Sequence, residues 1–218
     1  HELNQPLAAM KTYLAGAKLL LERKRAEEAI VSFRRIDDLI ERMGAITRQL
    51  KSYARKAGDS LAPVDMRDAV TSALAIMEPQ LKARKIRITK TLPQSPAIVL
   101  GDRLRLEQVI INLLRNAFDA TNASDTAAVD ILLTSGEQVL LAVRDNGQGI
   151  ENLDDLFEPF YTTKQPGDGV GLGLAISSGI VTDLGGRLTA RNAANGGAVF
   201  EVVLPIYRAE GEKDDAAE

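Results

Sequence analysis

The sequence predicts an α+β protein, in which an N-terminal helical hairpin precedes an α/β sandwich of helices over one mixed sheet. Between residues 3 and 54 apolar side chains recur alternately four and three apart, the seam of paired helices. Beyond residue 64, helix-length stretches alternate with short strand-like runs, the pattern of helices layered on a sheet. Between the two regimes, Ala57 to Pro63 carries Gly58, Asp59, Ser60 and Pro63 and has no period. The predicted division is therefore a hairpin at 1–56, a linker at 57–63, a sandwich domain at 64–207 and an acidic, disordered tail at 208–218.

Leu3, Leu7, Met10, Leu14, Ala17 and Leu21 define the first helix, and the charged stretch Glu22 to Glu28 interrupts it. Ala29, Phe33, Ile36, Ile40, Met43, Thr47, Leu50 and Ala54 repeat the alternation in a second helix, whose stripe Ile30, Leu39, Ile46 and Tyr53 widen. A lone hairpin leaves that surface wet, so two copies are expected to pair as a homodimer, a four-helix bundle built from residues 1–56. After the linker come a helix over Met66 to Ala83, strands at Ile86 to Thr91 and near Ile98, and a helix over Arg103 to Thr121. Strands Ala128 to Thr134 and Gln138 to Asp145 flank a short turn. A helix near Leu172 to Leu184 and strands Arg187 to Asn192 and Ala198 to Pro205 complete the series.

Composition removes several classes of function. Across 218 residues, 27 basic and 30 acidic side chains nearly cancel, so the basic footprint of a nucleic-acid binder is missing and no nucleic acid is expected as a partner. With no cysteine and one histidine, disulfide scaffolds, thiol catalysis and clustered zinc sites are excluded. No apolar run approaches the roughly 20 residues that span a bilayer. This stretch is expected to be cytoplasmic and to make no membrane contact, with any inner-membrane anchor upstream.

Four constellations carry chemistry. In HELNQPL, His1 lies two residues before the first seam position and points outward, where an imidazole of pKa about 6.5 keeps a nitrogen free to attack phosphorus. Glu2 could hold the other ring nitrogen; alone, the pair describes a solvated helix start equally well. In EQVIINLLRNAFDA, residues 107–120, Val109, Leu113 and Ala117 can face a sheet. Asn112 and Asn116 share another face, as magnesium-binding amides or as surface ones. DNGQGI, residues 145–150, ends a strand; it is a turn, and also a place where a base could lie on glycine backbone with Asp145 accepting from an adenine amino group. In FEPFYTTKQPGDGVGLGLAI, residues 157–176, alternate glycines lead into a helix whose first N–H groups can cradle phosphate, Phe157 and Phe160 are expected to pack the loop's base, and Lys164 could reach a phosphate. Leu174 stands where a dinucleotide fingerprint needs its third glycine, and no Gly-Lys-Ser/Thr follows to make a P-loop.

In order and spacing these strings resemble the sensor histidine kinases over nearly the whole chain: HELNQPL their phosphoacceptor box, EQVIINLLRNAFDA the N box, DNGQGI and GVGLGL the two glycine boxes, FEPFYTT the F box. HELNQPL and the TTK segment resemble the subgroup that includes C4-dicarboxylate and oxygen sensors. The resemblance implies that His1 is the phosphoacceptor, Glu2 its acid/base partner, and Gln5 a positioner of water for dephosphorylating a response regulator. It implies ATP and Mg2+ as cofactors, with Asn116 the magnesium-linked ligand, Asn112 beside it, Asp145 the adenine acceptor, and Gly147, Gly149, Lys164, Gly169, Gly171, Leu172 and Gly173 around the nucleotide. A homodimer and a receiver-domain partner follow from the same likeness. Gyrase- and chaperone-type ATPases share this fold but carry a glutamate where this chain has Asn112, and an amide cannot take a proton from water. A nucleotide-binding scaffold without phosphotransfer is the remaining alternative.

Overall fold

The computed structural model describes residues 4–54, 61–122, 126–163 and 171–208, with the backbone alone described at 4–6, 38, 41, 42 and 45–54. Most of the predicted linker and the acidic tail lie outside the described residues. The chain divides into two compact units, residues 1–56 and 57–218.

The first unit is two helices, α1 (Asn4–Glu22) and α2 (Ala26–Ala54), joined by a turn in which Lys24 adopts a positive φ. Ala17 and Ala29 are fully buried, and their small side chains let the helices approach closely. The Arg35 guanidinium sits 5.4 Å from the Tyr13 ring centroid and donates to its hydroxyl at 3.3 Å. The heptad seam divides in two. Met10, Ala17, Ala29, Ile36 and Met43 are buried or half-buried, whereas Leu7, Leu14, Leu21, Phe33 and Ile40 stand exposed seven residues apart. No described helix is long and apolar enough to cross a membrane.

The second unit starts with β1 (Ala62–Asp65), a strand the sequence did not signal. It is four residues long and contains Pro63, so no alternation could be read from it. β1 pairs antiparallel with β3 (Ile98–Gly101) as a separate ribbon, which corrects the expectation of a single sheet. The main sheet has five strands in the order β2-β4-β5-β7-β6, formed by Arg87–Thr91, Ala128–Ser135, Gln138–Asp145, Ala198–Pro205 and Arg187–Asn192. β2 runs parallel to β4 and every other pairing is antiparallel. The edge strands β2 and β6 expose Arg87, Lys90, Arg187 and Arg191.

Three helices complete this unit: α3 (Met66–Arg84), α4 (Arg103–Ala120) and α5 (Gly173–Asp183). Asp65 and Asp102 begin α3 and α4 by accepting backbone N–H groups of their first turns. Strands β4 and β5 alternate as a one-sided sheet must, burying Val129, Ile131 and Leu133 on one and Val139, Leu141 and Val143 on the other. Against that face α4 places Val109, Ile110, Leu113, Leu114, Ala117 and Phe118 in one apolar cluster with Ile176, Ile180 and Val181 of α5. Leu113 is fully buried, so Leu113→Ala should lower the unfolding free energy of this unit by about 2–5 kcal/mol, read as a shifted midpoint in urea denaturation.

Candidate functional site

The candidate site is bounded by α4, the 146–150 loop and the start of α5, all within the second unit. Asp145 ends β5 at 2% exposure, and its Oδ1 accepts the Gly147 N–H at 2.9 Å and the Ala198 N–H at 3.2 Å. Burial pushes its pKa above the ordinary carboxylate value, and the backbone N–H groups of Gly147, Ala198 and Asp145 itself pull only part of the way back. The β6–β7 turn reaches Asp145 because Gly197 has no side chain: with φ +82° it lies so close that a Cβ would sit 2.0 Å from the Asp145 carbonyl oxygen.

The loop after Asp145 is anchored on several sides. Gly147 lies on the end of α4, where a Cβ would come within 2.4 Å of the Ala120 carbonyl oxygen. The Asn146 side chain donates to the Thr126 carbonyl at 2.8 Å and accepts the Ala128 N–H at 2.9 Å, tying the loop to the start of β4. On the other side Asn192 of β6 accepts the Ile150 N–H and donates to the Ile150 carbonyl. The sequence did not single out Asn146 or Asn192 for these roles. An asparagine ending a strand looks like any turn former, and neither bond is local in sequence.

The two N-box amides differ in what they do. Asn112 is buried, and its Nδ2 donates to the Gly173 carbonyl and to Ser177 Oγ, both at 3.2 Å, while Ser177 Oγ donates to the same carbonyl at 2.9 Å. Asn112 thus pins α5 to α4. Asn116, one turn on, is half-buried, and no described side chain hydrogen-bonds it, so its amide oxygen is available to a hard cation. Leu172, the residue before α5, supplies no side-chain hydrogen bond to that helix's N-terminus, and among the described residues no side chain caps its first turn, the kind of helix end that attracts an anion. Among the described residues no three acidic or histidine side chains cluster to hold a metal. Magnesium fits such a place through one amide together with phosphate oxygens and waters.

Phe157 packs against the core, whereas Phe160 does not. It is half-exposed at φ +71°, its N–H donating to the Gly171 carbonyl at 3.0 Å, and Gly171 presses on its backbone where a Cβ would be 2.5 Å from the Phe160 carbonyl carbon. An aromatic residue in the left-handed region is held there by that close contact. His1, Glu2, Lys164 and Gly169 lie outside the described residues, and Gln5 is described only as backbone in α1. Gly149 takes φ +81° in the loop, and Gly173 begins α5 against the Asn112 amide.

Residues 101–208 match the family described as histidine kinase-, DNA gyrase B-, and HSP90-like ATPase. The C4-dicarboxylate transport sensor protein DctB of Pseudomonas aeruginosa is 38% identical over 208 residues, covering 94% of this chain and 34% of its own length. The chain belongs to the sensor histidine kinases. Its likeness is to the C4-dicarboxylate and oxygen sensor subgroup, and it spans about a third of the length of the DctB relatives. The solved catalytic domain of the histidine kinase ThkA is 28% identical with a TM-score of 0.61, covering 68% of this kinase chain and 99% of that one. A second ThkA structure, in complex with the response regulator protein TrrA, is 22% identical with a TM-score of 0.74 over 95% of this chain and 59% of that one, and shares the fold.

Because the folded-state pKa of Asp145 is raised, its carboxyl favours folding while protonated, and that contribution is lost as pH rises from the unfolded value of 3.8 through the higher folded one. Asp145→Asn keeps an oxygen for Gly147 and Ala198 and removes the buried charge. It should leave the melting temperature at neutral pH equal or higher and flatten its pH dependence just above pH 4. Thermal scans between about pH 4 and 7 would read this.

Proposed function

We propose that this chain phosphorylates His1 from Mg-ATP and passes the phosphoryl group to an aspartate of a response regulator. The observation that carries the reading is the buried Asp145 carboxylate at the foot of the glycine loop. The Gly147 and Ala198 N–H groups converge on its Oδ1, and Oδ2 would accept an adenine amino group. Glycine backbone at 147 and 149 would lie along the base, and the open first turn of α5 would take phosphate oxygens. Bound Mg2+, held through Asn116, would neutralise phosphate charge.

A ring nitrogen of His1 attacks the γ-phosphorus, the P–N bond forms as the P–O bond to ADP breaks, and Glu2 steadies the imidazolium. A regulator's aspartate oxygen then attacks phosphorus, breaking the P–N bond and returning a neutral histidine. Positioning and charge neutralisation supply the rate in such transfers. Gln5 would orient water for the reverse signal, dephosphorylation of the regulator. The Asn112 amide, committed to α5, offers no base to activate water, which favours transfer over hydrolysis.

The exposed half of the heptad seam supports a homodimer. Leu7, Leu14 and Leu21 on α1 and Phe33 and Ile40 on α2 form the stripe a second hairpin would cover in a four-helix bundle. Leu14→Asp with Phe33→Asp should weaken self-association by roughly a hundredfold or more, seen by sedimentation, since each charge is buried twice in a symmetric pair.

Incubation with γ-labelled Mg-ATP should give acid-labile, base-stable label on the protein. His1→Gln should abolish that label while retaining ATP affinity, and Asn116→Ala should abolish both label and magnesium-dependent affinity. Free phosphate with no labelled protein would instead place the chain among the hydrolases.

A further inference from the structure

Asn192 is an exposed residue at the end of β6, outside every motif assigned to the nucleotide, yet it is built into that site's wall. Its Oδ1 accepts the Ile150 N–H at 2.7 Å and its Nδ2 donates to the Ile150 carbonyl at 2.9 Å, across 42 residues of sequence. One side-chain amide therefore does for the loop what a neighbouring strand would do, satisfying both backbone groups of a single residue. The approach is close enough that a Cβ on Gly149, which sits at φ +81°, would lie 2.9 Å from Asn192 Oδ1. The loop's path past Gly149 is thus set by where Asn192 stands.

Asn192 is itself fixed relative to Asp145. It pairs with Ala198 in the β6–β7 ladder, and Ala198 donates its N–H to Asp145 Oδ1. The intervening turn closes through the Ala193 N–H to the Gly197 carbonyl at 2.9 Å, and Gly197 lies directly against the Asp145 carbonyl. A single short turn therefore grips both the acceptor carboxylate and the backbone four to five residues beyond it.

We propose that Asn192 is a positioning residue that sets nucleobase selectivity by fixing the glycine loop at Ile150 relative to Asp145. This rests on the kinase reading for the identity of the ligand, whereas the brace itself is independent of any ligand. With the brace removed, the loop loses its register against Asp145, and a purine can shift until its amino or carbonyl edge no longer matters. Adenine then loses its advantage over guanine.

The test uses the full chain and its Asn192→Ala and Asn192→Asp variants. Hydrogen exchange on the nucleotide-free proteins reads the Ile150 amide, and titration calorimetry compares Mg-ATP with Mg-GTP. In Asn192→Ala, exchange at Ile150 should speed by at least about tenfold and ATP affinity should fall by a similar factor, the size expected for losing a pair of hydrogen bonds. The ratio of ATP to GTP affinity should fall with it while the melting temperature moves little. Asn192→Asp keeps the acceptor for the Ile150 N–H and should retain protection there, with an intermediate ATP-to-GTP ratio. Unchanged Ile150 exchange overturns the brace, and faster exchange with an unchanged ratio overturns its role in selectivity. Should Asn192→Ala melt early, the ratio measured on the Asp variant decides: a wild-type ratio with the Nδ2 donor gone overturns the proposal. Wild-type protein that binds neither nucleotide refutes the kinase reading and the selectivity role together, while the exchange result still judges the brace.

Discussion

A carboxylate removed from water must be met by hydrogen-bond donors, and much of the second unit is arranged around meeting that need at Asp145. The donors come from two directions, Gly147 in the loop that follows and Ala198 at the start of β7. For Ala198 to arrive, the β6–β7 turn must lie flat against β5, which only a glycine at 197 permits. For Gly147 to arrive, the loop must rest on the last carbonyl of α4, which again excludes a side chain. Helix, loop and hairpin are thereby locked into one frame, and burial still holds the pKa of Asp145 above its ordinary value.

The second unit was legible in the sequence to the extent that its apolar period was. Helices α3, α4 and α5 and strands β4 to β7 follow from repeats of buried residues, because burial on one face is what generates those repeats. β1 escaped, since four residues with a proline hold no period. The ribbon it forms with β3 escaped with it, because sheet membership is decided by partners far away in sequence. The site was legible as motifs and not as roles. Spacing alone made Asn112 and Asn116 a pair of amides one turn apart; contact with Gly173 and Ser177 makes the first a clamp between helices, while no described side chain hydrogen-bonds the second. Phe160 read as a residue of the loop's base, but nothing in the sequence signalled the positive φ that goes with the tight approach of Gly171.

The hairpin follows a different logic. Its described seam positions are apolar, yet in the structure alternate members differ, one set buried or half-buried within the hairpin and the other exposed. A heptad specifies two contact lines and a single antiparallel pair can occupy only one of them. The second line is a record, written in sequence, of a surface that the isolated chain does not cover.

The sheet edges make the opposite provision. β2 and β6 end the five-stranded sheet with unpaired backbone, the usual template for unwanted strand addition, and both display arginine or lysine along that rim. Like charge meeting like charge discourages one sandwich from zipping onto another. Copies of this chain are therefore repelled where a β contact could propagate without end. The two folding units thus carry opposite surfaces, a charged rim along the sheet of one and an uncovered apolar stripe along the helices of the other.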